Sequence, residues 1–171
     1  QITGDIEFAE RAEIRDILAY LRLAEGRGDV YHLRRVVNKP TRGLGKKAVD
    51  FIFDHVGQDI KGFLHEQRQS DNFTKAGQKG IHELLHVLHQ THEMLKKEGL
   101  ASAIQTLLTT LEYEKRVYEK SFPMVKEEVA EGLSELIRLA AKAEKEKSDC
   151  TVEEFEKYLA DMYVDPSQKK S

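Results

Sequence analysis

Two glycines flanking a leucine, in the run Val36-Val37-Asn38-Lys39-Pro40-Thr41-Arg42-Gly43-Leu44-Gly45-Lys46-Lys47-Ala48, are the residues best placed to do chemistry. The chemistry they suit is anion binding. A residue without a Cβ accepts φ > 0 and lets a ligand reach the backbone. Gly43 and Gly45 can therefore expose their N–H groups while Leu44 tucks inward and pins the turn. Those amides precede a helix, whose N-terminal partial charge favours an anion. From Val30 to Val49 the chain carries Arg34, Arg35, Lys39, Arg42, Lys46 and Lys47 and no Asp or Glu. That window of +6 leaves −9 on the remainder of a chain whose net charge is −3, so any attraction for a polyanion is local.

The expected ligand is the phosphate rail of duplex DNA. Gly43 and Gly45 would donate N–H bonds to phosphate, Thr41 a hydroxyl bond, and Lys39, Arg42, Lys46 and Lys47 charge, around an inward Leu44. Nothing in the window offers a fork held for a base edge, so the expected binding is indifferent to sequence. The glycine–hydrophobic–glycine arrangement resembles the helix-hairpin-helix motif of DNA-binding proteins. Two other readings stay open at this point. Gly43-Leu44-Gly45-Lys46-Lys47-Ala48 fits a loose dinucleotide fingerprint, which demands a buried strand before it, and Pro40 spoils that run-in. The other is a plain structural turn with a solvated basic flank. A phosphate loop of the form Gly-x-x-x-x-Gly-Lys-Ser/Thr does not occur in the sequence.

A second motif is His82-Glu83-Leu84-Leu85-His86, a literal H-E-x-x-H, with His92 where a longer zinc-protease pattern takes its third ligand. The longer pattern needs glycine at the place of His89, so that the chain can turn back. Here the apolar spacing continues through Leu88 to Leu95, and on an unbroken helix His92 stands about 15 Å of rise beyond His82. The expectation is a solvated face of His82, His86 and His89, with no metal site and no catalytic residue. A zinc hydrolase is the remote alternative.

The elements that must position these residues read as helices. The 171 residues suit one domain, and 40% hydrophobic content with 33% charged residues but only 3 Pro favours helices over short strands. Apolar spacing predicts a helix over Phe8–Ala24, ended by Gly26 and Gly28, then one capped by Asp29 and running to about Val37. A third turns Ala48, Val49, Ile52 and Phe53 inward, and Gly57 and Gly62 break the next stretch into short pieces. Long helices are expected over Lys75–Lys97, with Gly99 after it, and from Pro123, with Lys142–Lys147 as its solvated end. Leu100–Leu111 and Tyr113–Glu119 lie between them. Thr151 and Glu154 form a capping box for a last helix holding Phe155, Tyr158, Leu159 and Met162, and residues 164–171 read as a frayed tail. No strand is legible. The fold expected is all-α, a single helical domain of about eight helices spanning residues 1–171.

Cys150 is the sole cysteine, so no internal disulfide is possible, and neither a membrane span nor a secretory signal is readable. A cytoplasmic, nucleoid-associated location follows as the expectation, with no membrane partner. The chain starts at Gln1 almost directly in helix-forming sequence and reads as a piece of a longer protein.

Two long blocks carry a family resemblance. Phe8-Ala9-Glu10-Arg11-Ala12-Glu13-Ile14-Arg15-Asp16-Ile17-Leu18-Ala19-Tyr20-Leu21-Arg22-Leu23 resembles the opening of the 2B subdomain in UvrD/PcrA/Rep-type superfamily 1 DNA helicases. Leu33–Gly45 is similar to that family's Asn-x-Pro-x-Arg-Gly-Ile-Gly segment. Glu127–Leu136 resembles its Arg-x-Glu-Asn-Leu-x-Glu-Leu segment more loosely, with Gly132 in place of Asn, and Glu153–Leu159 resembles its closing helix. The resemblance implies an accessory subdomain that contacts the duplex at a single-strand/duplex junction through the hairpin and can swing to an autoinhibitory orientation. It also implies motor subdomains, outside this chain, that bind ATP and Mg2+ and step 3′ to 5′, leaving this piece without cofactor or ATPase activity. A protein-interaction or autoinhibitory module without DNA contact is the alternative.

Overall fold

Several helix ends in this chain fall where side chains or glycines satisfy the orphan backbone groups. The computed structural model describes residues 8–162; the tail expected at 164–171 lies outside them. A 3₁₀ turn, Phe8–Glu10, precedes α1, Ala12–Glu25, which ends on left-handed Gly26 at φ 87°. Then come α2, Val30–Val36; α3, Lys46–His55; α4, Ile60–Gln67; and α5, Lys75–Lys97. These are followed by α6, Leu100–Leu111; α7, Tyr113–Tyr118; α8, Pro123–Glu146; and α9, Val152–Met162. Nine α-helices, against about eight expected, and no strand occur among the described residues.

The caps match the residues that supply them. The Asp29 carboxylate accepts from the Tyr31 amide at 2.9 Å and opens α2, and the Thr151 hydroxyl and Glu154 carboxylate exchange bonds at the start of α9. Gly99, at φ 101°, separates α5 from α6.

Three expectations need correction. The first helix is not continuous from Phe8, because Arg11 is extended (ψ 143°) and its guanidinium holds the Glu128 carbonyl at 2.9 Å and Glu13 at 2.7 Å. Gly62 does not break a helix; its amide donates to the Asp59 carboxylate in the first turn of α4, where a Cβ would lie 2.1 Å from that carboxylate. The run 142–147 is not wholly solvated either. Ala143 is buried, and Glu144 accepts from the amides of Leu100 and Ala101 at 2.8 and 3.0 Å, capping α6.

α1 is the axis of the fold and packs against α2, α5, α8 and α9. Ile14, Ile17, Tyr20 and Leu21 are fully buried on it, and they join Leu33, Leu84, Leu88, Leu136 and Phe155 in one continuous core. Each such side chain contributes roughly 1.5–3 kcal/mol through removal from water. α1 also buries a charge. Asp16, fully enclosed, meets Arg35 Nε and Lys39 Nζ, each at 2.8 Å, and accepts from the Tyr113 hydroxyl at 2.5 Å. Burial and the adjacent carboxylate drive the Tyr113 phenol far upward.

Candidate nucleic-acid interface

The connection from α2 to α3 is held from below. Asn38 spans it, accepting the Arg42 amide at 2.9 Å through Oδ1 and donating Nδ2 to the Leu44 carbonyl at 2.6 Å. The Tyr20 hydroxyl donates to the Lys39 carbonyl at 2.7 Å. The Arg42 guanidinium points inward and donates to the carbonyls of Val36 and Val37, at 2.6 and 3.2 Å, and to the Tyr20 hydroxyl. Burial raises the Tyr20 phenol to about 12, against the lowering effect of the Arg42 cation.

Side chains alternate along this stretch. Arg42 and Leu44 are buried, while Thr41, Gly43, Gly45, Lys46 and Lys47 face solvent. Leu44 tucks inward as its spacing predicts, against Gly77 of α5. Arg42 does not serve as expected. Its side chain is 0% exposed, its Nη1 and Nη2 donate inward to hairpin carbonyls and to Tyr20, and its Nε lies 3.6 Å from Glu83, so it offers no charge to an outside phosphate. Lys39 is largely diverted too, onto Asp16.

The remaining cations of the basic window are arranged differently. Arg34 lies 4.0 Å over the Phe53 ring, Arg35 is paired with Asp16, and Lys46 meets Asp50 one helical turn on at 2.8 Å. That exposed Asp50 bond raises the Lys46 ammonium. Lys47 is exposed and has no ion-pair partner among the described residues. The outward charge of the hairpin therefore comes from Lys46, Lys47 and Arg34.

The amides tell the same story from the backbone. The N–H groups of Gly43, Leu44, Gly45, Lys46 and Lys47 find no acceptor among the described residues, and no side chain caps α3. Gly43 needs its residue type, with φ 74° and a would-be Cβ 3.1 Å from Ala76. Gly45 does not: its φ is −76° and nothing stands within 4 Å of a Cβ there. The fold leaves Gly45 open to whatever approaches from outside.

The seat for the hairpin went unread in the sequence. A Cβ on Gly80 would lie 2.0 Å from the Arg42 carbonyl oxygen, so the hairpin backbone rests directly on α5 at Gly80, with the Leu44 side chain against Gly77. The signal was there, since two glycines inside a helix each cost about 1 kcal/mol and imply a close approach. Arg116 of α7 braces the same turn, donating to the Thr41 carbonyl at 2.9 Å and to Glu83 at 2.7 Å.

That bond also redefines the histidine motif. Glu83, the would-be general base, is an internal partner of Arg116 and Arg42, while His82, His86 and His89 face solvent. α5 runs unbroken to Lys97, and His92 turns elsewhere, its Nδ1 3.0 Å from the Ala24 carbonyl. Among the described residues no group of three or more metal-ligating side chains converges. The dinucleotide reading is overturned, because a helix and not a strand leads into the glycines. No helix among the described residues is long and apolar enough to cross a membrane.

Comparison with known proteins finds DNA helicases. DNA helicase II of Escherichia coli (strain K12) is 48% identical over 52 residues, which is 30% of this chain and 7% of that protein. ATP-dependent DNA helicase UvrD1 of Mycobacterium tuberculosis (strain ATCC 25618 / H37Rv) is 50% identical over 48 residues, 28% of this chain and 6% of its own. DNA helicase II of Rickettsia typhi (strain ATCC VR-144 / Wilmington) is 25% identical over 148 residues, 82% of this chain and 22% of its own. The chain thus spans less than a quarter of the length of each of these relatives. The sequence model of the UvrD-like helicase C-terminal domain matches residues 1–171 throughout, and the chain belongs to that family.

Proposed function

We propose that this chain is the duplex-binding accessory subdomain of an ATP-dependent 3′–5′ DNA helicase, corresponding to the 2B subdomain. The observation that carries the reading is the run of amides from Gly43 to Lys47 that find no acceptor among the described residues, laid at the start of α3 beside the exposed Lys46 and Lys47. Such a row suits phosphate oxygens, which amides and a helix N-terminus bind without reference to base sequence. Thr41, exposed at the near end, adds a hydroxyl donor. ATP and Mg2+ belong to motor subdomains elsewhere in the parent, and the partner DNA is the duplex ahead of a single-strand junction.

With Arg42 withdrawn into the fold, Lys46 and Lys47 are the cations expected to neutralise phosphate. Log affinity should then fall with log salt at a slope of roughly −1.8. Titration of a labelled duplex at two salt concentrations tests this. Gly45→Val should weaken binding at every salt, and Lys46→Ala/Lys47→Ala should flatten the slope. Equal binding by all three proteins removes the hairpin from the function.

A docking role has one observation in its favour: Phe122 and Met124, at the turn into α8, are 81% and 72% exposed. If that role holds instead, the hairpin variants change the activity of the full-length helicase and leave duplex affinity untouched.

A further inference from the structure

α5 carries a cationic row that the hairpin reading does not use. Lys75, Lys79, His82 and His86 are spaced four, three and four residues apart, which places them on one face of a 3.6-residue helix. All four are exposed, and none has a side-chain partner among the described residues. Together they cover about 16 Å of helix rise.

The row adjoins the hairpin. A groove of about 490 Å³ has Thr41 and Gly43 on one side and Lys79, His82 and His86 on the other. The charged residues that line the groove with the two imidazoles are Lys79 and Glu83 of α5 and Arg42 of the hairpin. Glu83 is taken by Arg116 at 2.7 Å, and Arg42 lies 3.6 Å from it inside the fold. What faces outward is therefore cationic, or becomes so on protonation.

We propose that this row is a second phosphate track. A duplex held by the hairpin amides lays one backbone strand along the groove, where Lys79 binds it at every pH and His82 and His86 bind it when protonated. The inference rests on the hairpin reading and adds to it the path of the DNA and a pH dependence. Histidine is the side chain whose charge changes between pH 8 and 5, and the protonated ring offers two N–H donors where the neutral ring offers one.

The test is anisotropy of a rhodamine-labelled duplex with the 171-residue chain, at pH of about 5.5 and about 8, between about 50 and 200 mM salt. Each neutralised phosphate makes binding about 3.5-fold weaker over that salt interval, so two more contacts give wild type about twelvefold more salt sensitivity at the lower pH. His82→Gln/His86→Gln should abolish that excess with an unchanged thermal melt. His55→Gln/His65→Gln, which removes two imidazoles elsewhere, should keep it. The track is overturned if the excess persists in His82→Gln/His86→Gln or is absent from a wild type that still binds. If Gly45→Val leaves affinity unchanged while the excess follows His82 and His86, the hairpin reading fails and the track stands. If Gly45→Val abolishes binding while His82→Gln/His86→Gln matches wild type, the reverse holds. Absence of duplex binding by wild type at the lower pH overturns both.

Discussion

The guanidinium of Arg42 and the phenol of Tyr20 hold each other beneath the hairpin, joining the turn to the fully buried face of α1. Tyr20 accepts from Arg42 and donates its own O–H to the Lys39 carbonyl at 2.7 Å. Arg42→Ala would leave that hydroxyl and the Val37 carbonyl short of a donor, with a cavity beside them. It is expected to destabilise by about 2–4 kcal/mol, whereas Tyr20→Phe costs about 1–2 kcal/mol. Urea denaturation of both variants checks the order, and an Arg42→Ala protein as stable as wild type would show the guanidinium to be dispensable.

Glycines 45 and 80 should respond in opposite ways to one added methyl group. Gly80→Ala places its Cβ 2.0 Å from the Arg42 carbonyl oxygen, and relieving that overlap by lifting the hairpin is expected to cost about 1–3 kcal/mol. Gly45→Ala meets nothing within 4 Å and should leave the melting temperature within a degree or two of wild type, while duplex affinity drops. Thermal melts paired with duplex titration separate the two effects.

Arg116 acts on the interface through another residue's backbone. Its bond to the Thr41 carbonyl, at 2.9 Å, is made from a partly exposed side chain, as is its pair with Glu83. Arg116→Ala should therefore cost only about 1 kcal/mol in stability, since exposed pairs contribute little. Hydrogen exchange at the Arg42 amide, which Asn38 accepts at 2.9 Å, should rise beyond what that loss explains, and unchanged exchange there would confine Arg116 to α7.

Acid should loosen the start of α9 through one carboxylate. The Lys147 ammonium, and then the Thr151 amide, hold Glu154 at about 2 in the folded chain against an ordinary 4.5. A carboxyl depressed by folding stabilises above its unfolded value, so this contribution is whole above pH 4.5 and fades as pH falls towards 2. Stability measured across that interval should decline less steeply in Glu154→Gln than in wild type.

The helices were legible because their ends are marked chemically: Asp29, Gly26, Gly99, Pro123 and the Thr151–Glu154 pair all act where their types predict. Leu44 was legible for the same reason, as an apolar residue between two glycines in a basic run. Arg42 was not. Its charge reads the same whether it faces water or carbonyls, and only the placement of Tyr20, distant in sequence, decides the matter. Lys39 reads as a free cation for a similar reason: the acid that gathers it and Arg35, Asp16, lies on another helix outside the basic window. Local charge counting has no access to such a partner. Glu83 was equally opaque, since H-E-x-x-H describes one helix and the arginine that claims it belongs to α7.

Asp16 ties α1 to Arg35 of α2, to Lys39 in the turn and to Tyr113 of α7 from one enclosed point. Force applied at the turn by a moving duplex would travel into α1 through those bonds, with little slack to absorb it. If the turn grips DNA as proposed, grip and body would move together, and any flexing would fall outside the helices that meet at that aspartate.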